Sequence, residues 1–250
     1  MTVVATHTPQ PPALKLPPNP GGDDIYRTWF SRLVRHLCWL HGRVIWFLTF
    51  RTGVIFPEAL NTPGGFQIAC THFSHLEPFL IGIYSRRPLD WLTRIEFYQH
   101  RWTTWFLQRF GAIPVRRQGC SASAIRAAIS RVSQGRVVAI APEGGVATGS
   151  QSVCRGGPIK LGACLIAIRT GKPIVPCVIL GSHKLNAIGP WLPFRRARLY
   201  LAFGKPLFPP ADVSSPKQAR ETMAVQLQNE FVNLYQQLLE KFQIPDGQIP

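Results

Sequence analysis

Residues 66–78 read FQIACTHFSHLEP, and their pattern predicts the fold class. It opens with a short apolar run, Phe66 to Cys70, which is typical of a buried strand. It closes on Pro78, a residue favoured in the first turn of a helix, and the chain from Pro78 to Tyr84 is predicted to be helical. A strand that turns directly into a helix is the repeating unit of a parallel α/β sheet.

The same alternation continues along the rest of the chain. The predicted strands lie at residues 89–93, 112–115, 137–140, 173–180 and 198–203. The predicted helices lie at residues 96–110, 121–133, 160–169 and from 215 onward. We therefore expect an α/β fold, with a mostly parallel sheet flanked by helices and an N-terminal membrane-associated helical segment.

Composition divides the 250 residues into three segments. Residues 1–24 are rich in proline and are predicted to be a disordered leader, because such a composition cannot pack a core. Residues 25–57 are apolar and aromatic with interleaved arginines, and they are predicted to be a helical segment that interacts with a membrane. Residues 58–250 are predicted to be one α/β domain that includes the C-terminal helix.

The formal net charge of +16 reflects a shortage of acids, which number only 12. Such a charge attracts polyanions, and the candidates are nucleic acid, an anionic bilayer or an acidic carrier protein. No acid lies between Asp24 and Glu58, where tryptophan and arginine side chains suit the headgroup layer of a bilayer. An amphipathic helix packed on the domain is the plain alternative. No nucleic-acid module is recognisable, so we expect an anionic membrane surface as a partner and no nucleic acid.

The chain shows no secretory signal and no uninterrupted apolar run of the roughly 20 residues that a membrane span needs. Its most apolar stretch, residues 37–56, is interrupted by His41, Arg43 and Arg51. The six cysteines are scattered and are interpreted as reduced thiols. We therefore expect a peripheral or monotopic protein on the cytoplasmic face of a membrane.

His72 and Glu77 are the first candidates for chemistry. Five residues apart is the wrong spacing for one helix face, so the pair needs a turn that brings the carboxylate back to the imidazole. A carboxylate on one ring nitrogen prepares the other nitrogen to act as a general base. Two alternatives stay open: a capping box formed by Ser74 and Glu77, and a metal site formed by His72, His75 and Glu77, although no second cluster of His or Cys lies nearby.

Four segments in order resemble the glycerolipid acyltransferase family that includes the 1-acylglycerol-3-phosphate acyltransferases. The first is THFSHLEP at 71–78, in the place of the family's N-H-x-x-x-x-D motif. The others are GAIPVRR at 111–117, APEGGV at 141–146 in the place of F-P-E-G-T-R, and IVPCV at 174–178. The order and number of the segments make the resemblance specific.

The resemblance implies a role for each candidate residue. His72 would deprotonate the hydroxyl of the acceptor, and Glu77 would orient His72. The hydroxyl would attack the acyl thioester directly, with no acyl-enzyme. Arg117, Glu143 and Gly144 would bind the phosphate of the acceptor, with Glu143 orienting Arg117 or binding a glycerol hydroxyl. No cofactor is implied beyond the donor substrate, acyl-CoA or acyl-carrier protein, and the acceptor would be a lysophospholipid such as 1-acylglycerol-3-phosphate.

Two departures from the family pattern leave alternatives open. Glu77 replaces the aspartate of the first motif, and Gly145 and Val146 replace the threonine and arginine of the third. The lost arginine could be compensated by Arg116, Arg155 or Lys160. The alternatives are an acyltransferase that acts on a non-phosphate lipid alcohol, and a non-catalytic lipid-binding or scaffold protein on the same fold.

Overall fold

The computed structural model describes residues 23–74, 77–116, 122–185, 197–211 and 215–244. Its α-helices are α1 (Asp23–Arg27), α2 (Trp29–Thr49), α3 (Glu77–Tyr84), α4 (Arg101–Arg109), α5 (Ala122–Ser133), α6 (Gly162–Thr170) and α7 (Pro216–Phe242). Its strands are β1 (Phe50–Ile55), β2 (Phe66–Cys70), β3 (Leu89–Arg94), β4 (Ile113–Val115), β5 (Val137–Ile140), β6 (Ile174–Leu180) and β7 (Ala197–Phe203). Short 3₁₀ turns include Ile95–Tyr98 and Ser182–Leu185.

The described strands form one seven-stranded sheet in the order β1-β7-β6-β2-β5-β3-β4. All neighbouring pairs are parallel except β6 and β7, which are antiparallel. The prediction of a mostly parallel sheet flanked by helices is therefore confirmed. The three central strands, β6, β2 and β5, are buried along their whole length, which explains why their sequences are continuously apolar.

Apolar side chains cover both faces of the sheet in two buried clusters. One cluster joins α5, α6 and α7 to the sheet, and the predicted apolar face of α7 lies in it, including Phe231 and Leu238. The other joins α2, α3 and α4 to the opposite face through residues such as Trp46 and Leu80. Because helices cover both faces of the sheet, a ligand is expected to bind at the ends of the strands.

The predicted helical segment 25–57 needs a correction at its C-terminal end. Helix α2 ends at Thr49, and Phe50 to Ile55 form β1, which pairs in parallel with β7 at the edge of the sheet. Helix α2 and strand β1 both combine apolar side chains with arginine, so composition alone did not separate helix from strand. The helix predicted at 96–110 is likewise divided, into the 3₁₀ turn Ile95–Tyr98 and α4.

The N-terminal region is described only from Asp23, so most of the predicted leader lies outside the described residues. In the part of the chain that is described, no helix combines the length and apolar character needed to cross a bilayer.

Candidate active site

The candidate residues come together because they follow three neighbouring strands. His72 lies two residues after β2, Glu143 three residues after β5 and Ser182 two residues after β6. Strand β2 lies between β5 and β6, and all three run in the same direction. Their carboxyl ends therefore meet at one edge of the sheet, the position where open α/β sheets place their ligands.

The turn after β2 returns Glu77 to the imidazole of His72. The His72 Nδ1 atom lies 3.2 Å from the Glu77 Oε2 atom. The Glu77 side chain is fully buried, whereas that of His72 is 22% exposed. A carboxylate at Nδ1 favours the tautomer with the proton on that nitrogen, so Nε2 is the nitrogen that can accept a proton from a substrate.

The other carboxylate oxygen of Glu77 accepts hydrogen bonds from its own loop and from Ser182. Glu77 Oε1 accepts hydrogen bonds from the backbone N–H of Phe73 at 3.2 Å and of Ser74 at 2.7 Å. It also accepts hydrogen bonds from the hydroxyls of Ser74 at 3.0 Å and Ser182 at 2.8 Å. The bond from the Ser74 N–H to Glu77, which is one half of the capping box considered above, and the contact with His72 are therefore both present, one on each oxygen.

Glu143 supports the same loop from the other side. Its Oε2 atom accepts a hydrogen bond of 2.8 Å from the backbone N–H of His72. Its Oε1 atom accepts from the backbone N–H of Val153 at 3.0 Å and from the Ser152 hydroxyl at 3.2 Å. Burial raises the pKa of Glu143 above its ordinary value of 4.5, and these hydrogen bonds oppose that rise only in part. In the structure Glu143 thus positions His72, and its contact with an acceptor stays a prediction.

The glycine after Glu143 has a backbone that only glycine adopts readily. Gly144 has a φ of +74°, and a Cβ atom there would collide with the end of the Lys160 side chain. The turn that carries Glu143 therefore also brings a lysine ammonium next to the motif. Arg117, the third predicted phosphate ligand, lies outside the described residues.

A cavity of about 440 Å³ opens beside His72. Aromatic and aliphatic side chains form most of its wall, and Arg94, the last residue of β3, also lines it. A second cavity of about 950 Å³ lies between α2 and α3. The two cavities share four lining residues: Pro78, Phe79, Trp91 and Phe106.

Three residues of this site were not among the predicted site residues. Arg94 and Ser182 follow the pattern of polar residues at the ends of buried strands, and that pattern could have found them. Ser152 lies in a loop after the third motif, and no local signal marks it. Among the described residues, no group of three or more His, Cys, Asp or Glu side chains could hold a metal ion. His75 of the alternative metal site lies outside them.

Comparison with known proteins identifies the family of this chain. The family described as Acyltransferase matches residues 51–180. A 1-acyl-sn-glycerol-3-phosphate acyltransferase of Bacillus subtilis (strain 168) is 29% identical over 163 residues, which cover 64% of this chain and 76% of that protein. The enzyme of the same name from Streptococcus pneumoniae (strain ATCC BAA-255 / R6) is 24% identical over 220 residues, 85% of this chain and 74% of that one.

A solved structure shares the fold. It is the 1-acyl-sn-glycerophosphate (LPA) acyltransferase PlsC of Thermotoga maritima, with a TM-score of 0.62, 20% identity and coverage of 82% of this chain and 80% of that one. The sheet of this chain carries a histidine–carboxylate pair at its carboxyl edge, and the relatives that match it are named as 1-acyl-sn-glycerol-3-phosphate acyltransferases, which are O-acyltransferases. This chain belongs to the acyltransferase family.

Proposed function

We propose that this enzyme transfers a fatty acyl chain from an acyl thioester, acyl-CoA or acyl-carrier protein, to the hydroxyl of a lysophospholipid of the 1-acylglycerol-3-phosphate type. The observation that carries the proposal is the His72–Glu77 pair at the mouth of an apolar cavity. The similarity to two enzymes named for this reaction supports it.

The chemistry follows from the pair. His72 Nε2 takes the proton of the acceptor hydroxyl as its oxygen attacks the thioester carbonyl. The C–S bond then breaks, the ester forms, and the imidazolium returns its proton to the departing thiolate. The buried carboxyl group of Glu77 lies 3.2 Å from His72 Nδ1, so it is placed to stabilise the imidazolium while it exists.

The cavity beside His72 offers groups for both parts of a lysophospholipid. Its aromatic wall suits the acyl chain, and Arg94 places a guanidinium in the same cavity, where it can bind a phosphate through two parallel hydrogen bonds. Arg94, with Lys160 beside Gly144, supports a phosphate-bearing acceptor although Val146 stands in place of the motif arginine. The missing arginine also favours a second candidate, an acyltransferase acting on a lipid alcohol without phosphate.

The outer surface of α2 supports an anionic membrane as the place of action. Trp29 is 74% exposed and Phe47 is 89% exposed, and Trp102 on α4 is 82% exposed. The exposed apolar residues of α2 are Trp29, Phe30, Leu33, Leu37, Leu40, Val44, Ile45, Phe47 and Leu48. Apolar area of this kind, with a net charge of +16, fits a peripheral or monotopic enzyme on the cytoplasmic face of an anionic bilayer.

The catalytic part of the proposal is tested with His72→Ala. The acceptors are lysophosphatidate and a glycerol monoester without phosphate, and each is assayed with acyl-CoA and with acyl-carrier protein as the donor. We expect wild-type transfer to lysophosphatidate and a loss of at least about 100-fold in kcat for the variant. His100→Ala, an exposed histidine outside the site, is the matched control. Undiminished transfer by His72→Ala would refute the mechanism, and a preference for the phosphate-free acceptor would favour the second candidate.

The membrane part is tested by flotation with vesicles of phosphatidylglycerol and of phosphatidylcholine. Phe47→Ser combined with Leu48→Ser should weaken binding to the anionic vesicles. Val225→Ser, an exposed apolar residue on α7, should leave it unchanged. Equal binding by the α2 variant and the wild type would contradict this part of the proposal.

A further inference from the structure

Ser182 makes a contact to the candidate catalytic carboxylate from a distant part of the chain. Its hydroxyl donates a hydrogen bond of 2.8 Å to Glu77 Oε1, and 105 positions separate the two residues. The other donors to this oxygen, on Phe73 and Ser74, belong to the loop between His72 and Glu77 itself. Ser182 is therefore the group among the described contacts that ties the carboxylate to the neighbouring strand.

The backbone holds Ser182 in this position. Thr71, the residue before His72, extends the pairing of β2 with β6, because its hydroxyl donates to the carbonyl of Ile179 and accepts from the N–H of the same residue. Gly181 then turns the chain with a φ of +88°, and a side chain there would collide with the Arg198 carbonyl. Ser182 itself is fully buried. The distance between the histidine loop and Ser182 is thus set by the sheet.

This geometry gives a reason for the glutamate in the first motif. The carboxylate must reach His72 with one oxygen and Ser182 with the other, and both contacts are made at once. An aspartate at this position would be withdrawn by one methylene, about 1.5 Å, and could not keep both.

We propose that Ser182 is a positioning residue, which acts through Glu77 to hold its Oε2 atom against His72 Nδ1 and so to keep His72 in the tautomer that can act as a base. The proposal rests on the proposed function for its catalytic consequence. With the hydroxyl removed, Glu77 Oε1 is held only by donors of its own loop, Phe73 and Ser74, among the described contacts, and its contact with the imidazole is no longer constrained from β6.

The kinetic test is a double-mutant cycle with Ser182→Ala and Glu77→Gln. Ser182→Ala alone should lower kcat about tenfold, with KM for donor and acceptor within about twofold of wild type, because the hydroxyl touches no substrate. In the Glu77→Gln background, the same change should lower kcat by less than about threefold, since no carboxylate is left to position. Thr170→Val is the control, because it removes a hydrogen-bonded hydroxyl at the opposite edge of the sheet.

A second measurement needs no turnover. In protein labelled with ¹⁵N-histidine, His72 is assigned with the His72→Gln variant and its ring nitrogens are observed in alkaline buffer. Wild type should show His72 protonated on Nδ1, and Ser182→Ala should show a mixture of tautomers.

The proposal is overturned if Ser182→Ala leaves kcat and the His72 spectrum unchanged, or if it lowers kcat equally in the Glu77→Gln background. A wild-type protein that transfers no acyl chain would refute the proposed function instead. The tautomer of His72 would then still decide whether Ser182 positions the pair.

Discussion

Glu143→Gln separates the positioning of His72 from the stability of the fold. Among the described residues, the partners of the Glu143 carboxylate are donors: the N–H of His72 at 2.8 Å, the N–H of Val153 at 3.0 Å and the hydroxyl of Ser152 at 3.2 Å. A glutamine has one oxygen and one NH₂ group, so one end of the amide must point a donor at a donor. One hydrogen bond to a charged acceptor is lost, and such a bond contributes about 1.5–3 kcal/mol.

If the hydrogen bond that is lost is the one from the His72 N–H, kcat should fall about tenfold to 100-fold. Stability should change much less, because burial already disfavours the charge of Glu143, as its raised pKa shows, and the neutral amide removes that cost. The melting temperature should therefore stay within about 4 °C of wild type.

The assay is acyl transfer to lysophosphatidate under saturating donor, with thermal unfolding followed in parallel. Glu221→Gln, an exposed glutamate on α7, is the matched control and should behave as wild type. A Glu143→Gln enzyme that melts normally and keeps kcat within twofold of wild type would show that the hydrogen bond to His72 does not support catalysis.

Three further predictions concern acid, the buried ion pair and the motif turn. Because burial raises the pKa of Glu143, its carboxyl takes up a proton at higher pH than an exposed glutamate would, and the protonated group resembles the amide of Glu143→Gln. The ratio of kcat/KM between wild type and Glu143→Gln should therefore shrink as the pH is lowered, and a ratio that does not change with pH would contradict this. Asp90→Asn removes the buried counter-charge of Arg136, which pairs with Asp90 at 2.6 Å. Urea unfolding should show that the free energy of unfolding falls by about 3 kcal/mol, and a decrease of less than about 1 kcal/mol would refute the prediction. Gly144→Ala places a side chain at a residue with a positive φ, beside Lys160, and should lower the free energy of unfolding by about 1 kcal/mol. It should also lower kcat, and wild-type values for both quantities would show that the turn tolerates a side chain.

The architecture was largely readable from local pattern. The strands from β2 to β7 and the helices α3, α5, α6 and α7 lie within two residues of their predicted bounds. Each is a short apolar run or an amphipathic stretch bounded by glycine or proline, so local sequence is enough. Strand β1 was missed because residues 25–57 share an apolar and basic composition and were predicted as one helical segment, and only the pairing of β1 with β7 reveals the strand.

The site was readable in part. The five-residue spacing of His72 and Glu77 required a turn, and the contact that follows from that turn is present. The hydrogen bond from the His72 N–H to Glu143 was not predicted, because nothing local connects residues 71 positions apart. The role of Arg117 in binding phosphate stays a prediction.

Local sequence was enough to predict most of the strands and helices and to select candidates for the base, the orienting acid and the cation. Those properties depend on residue type and short spacing. The tertiary structure alone decided that Glu77 would be held from both sides, by its own loop and by Ser182, and that Glu143 would support His72. The reason is the strand order β6-β2-β5, which brings the ends of distant segments to one edge of the sheet.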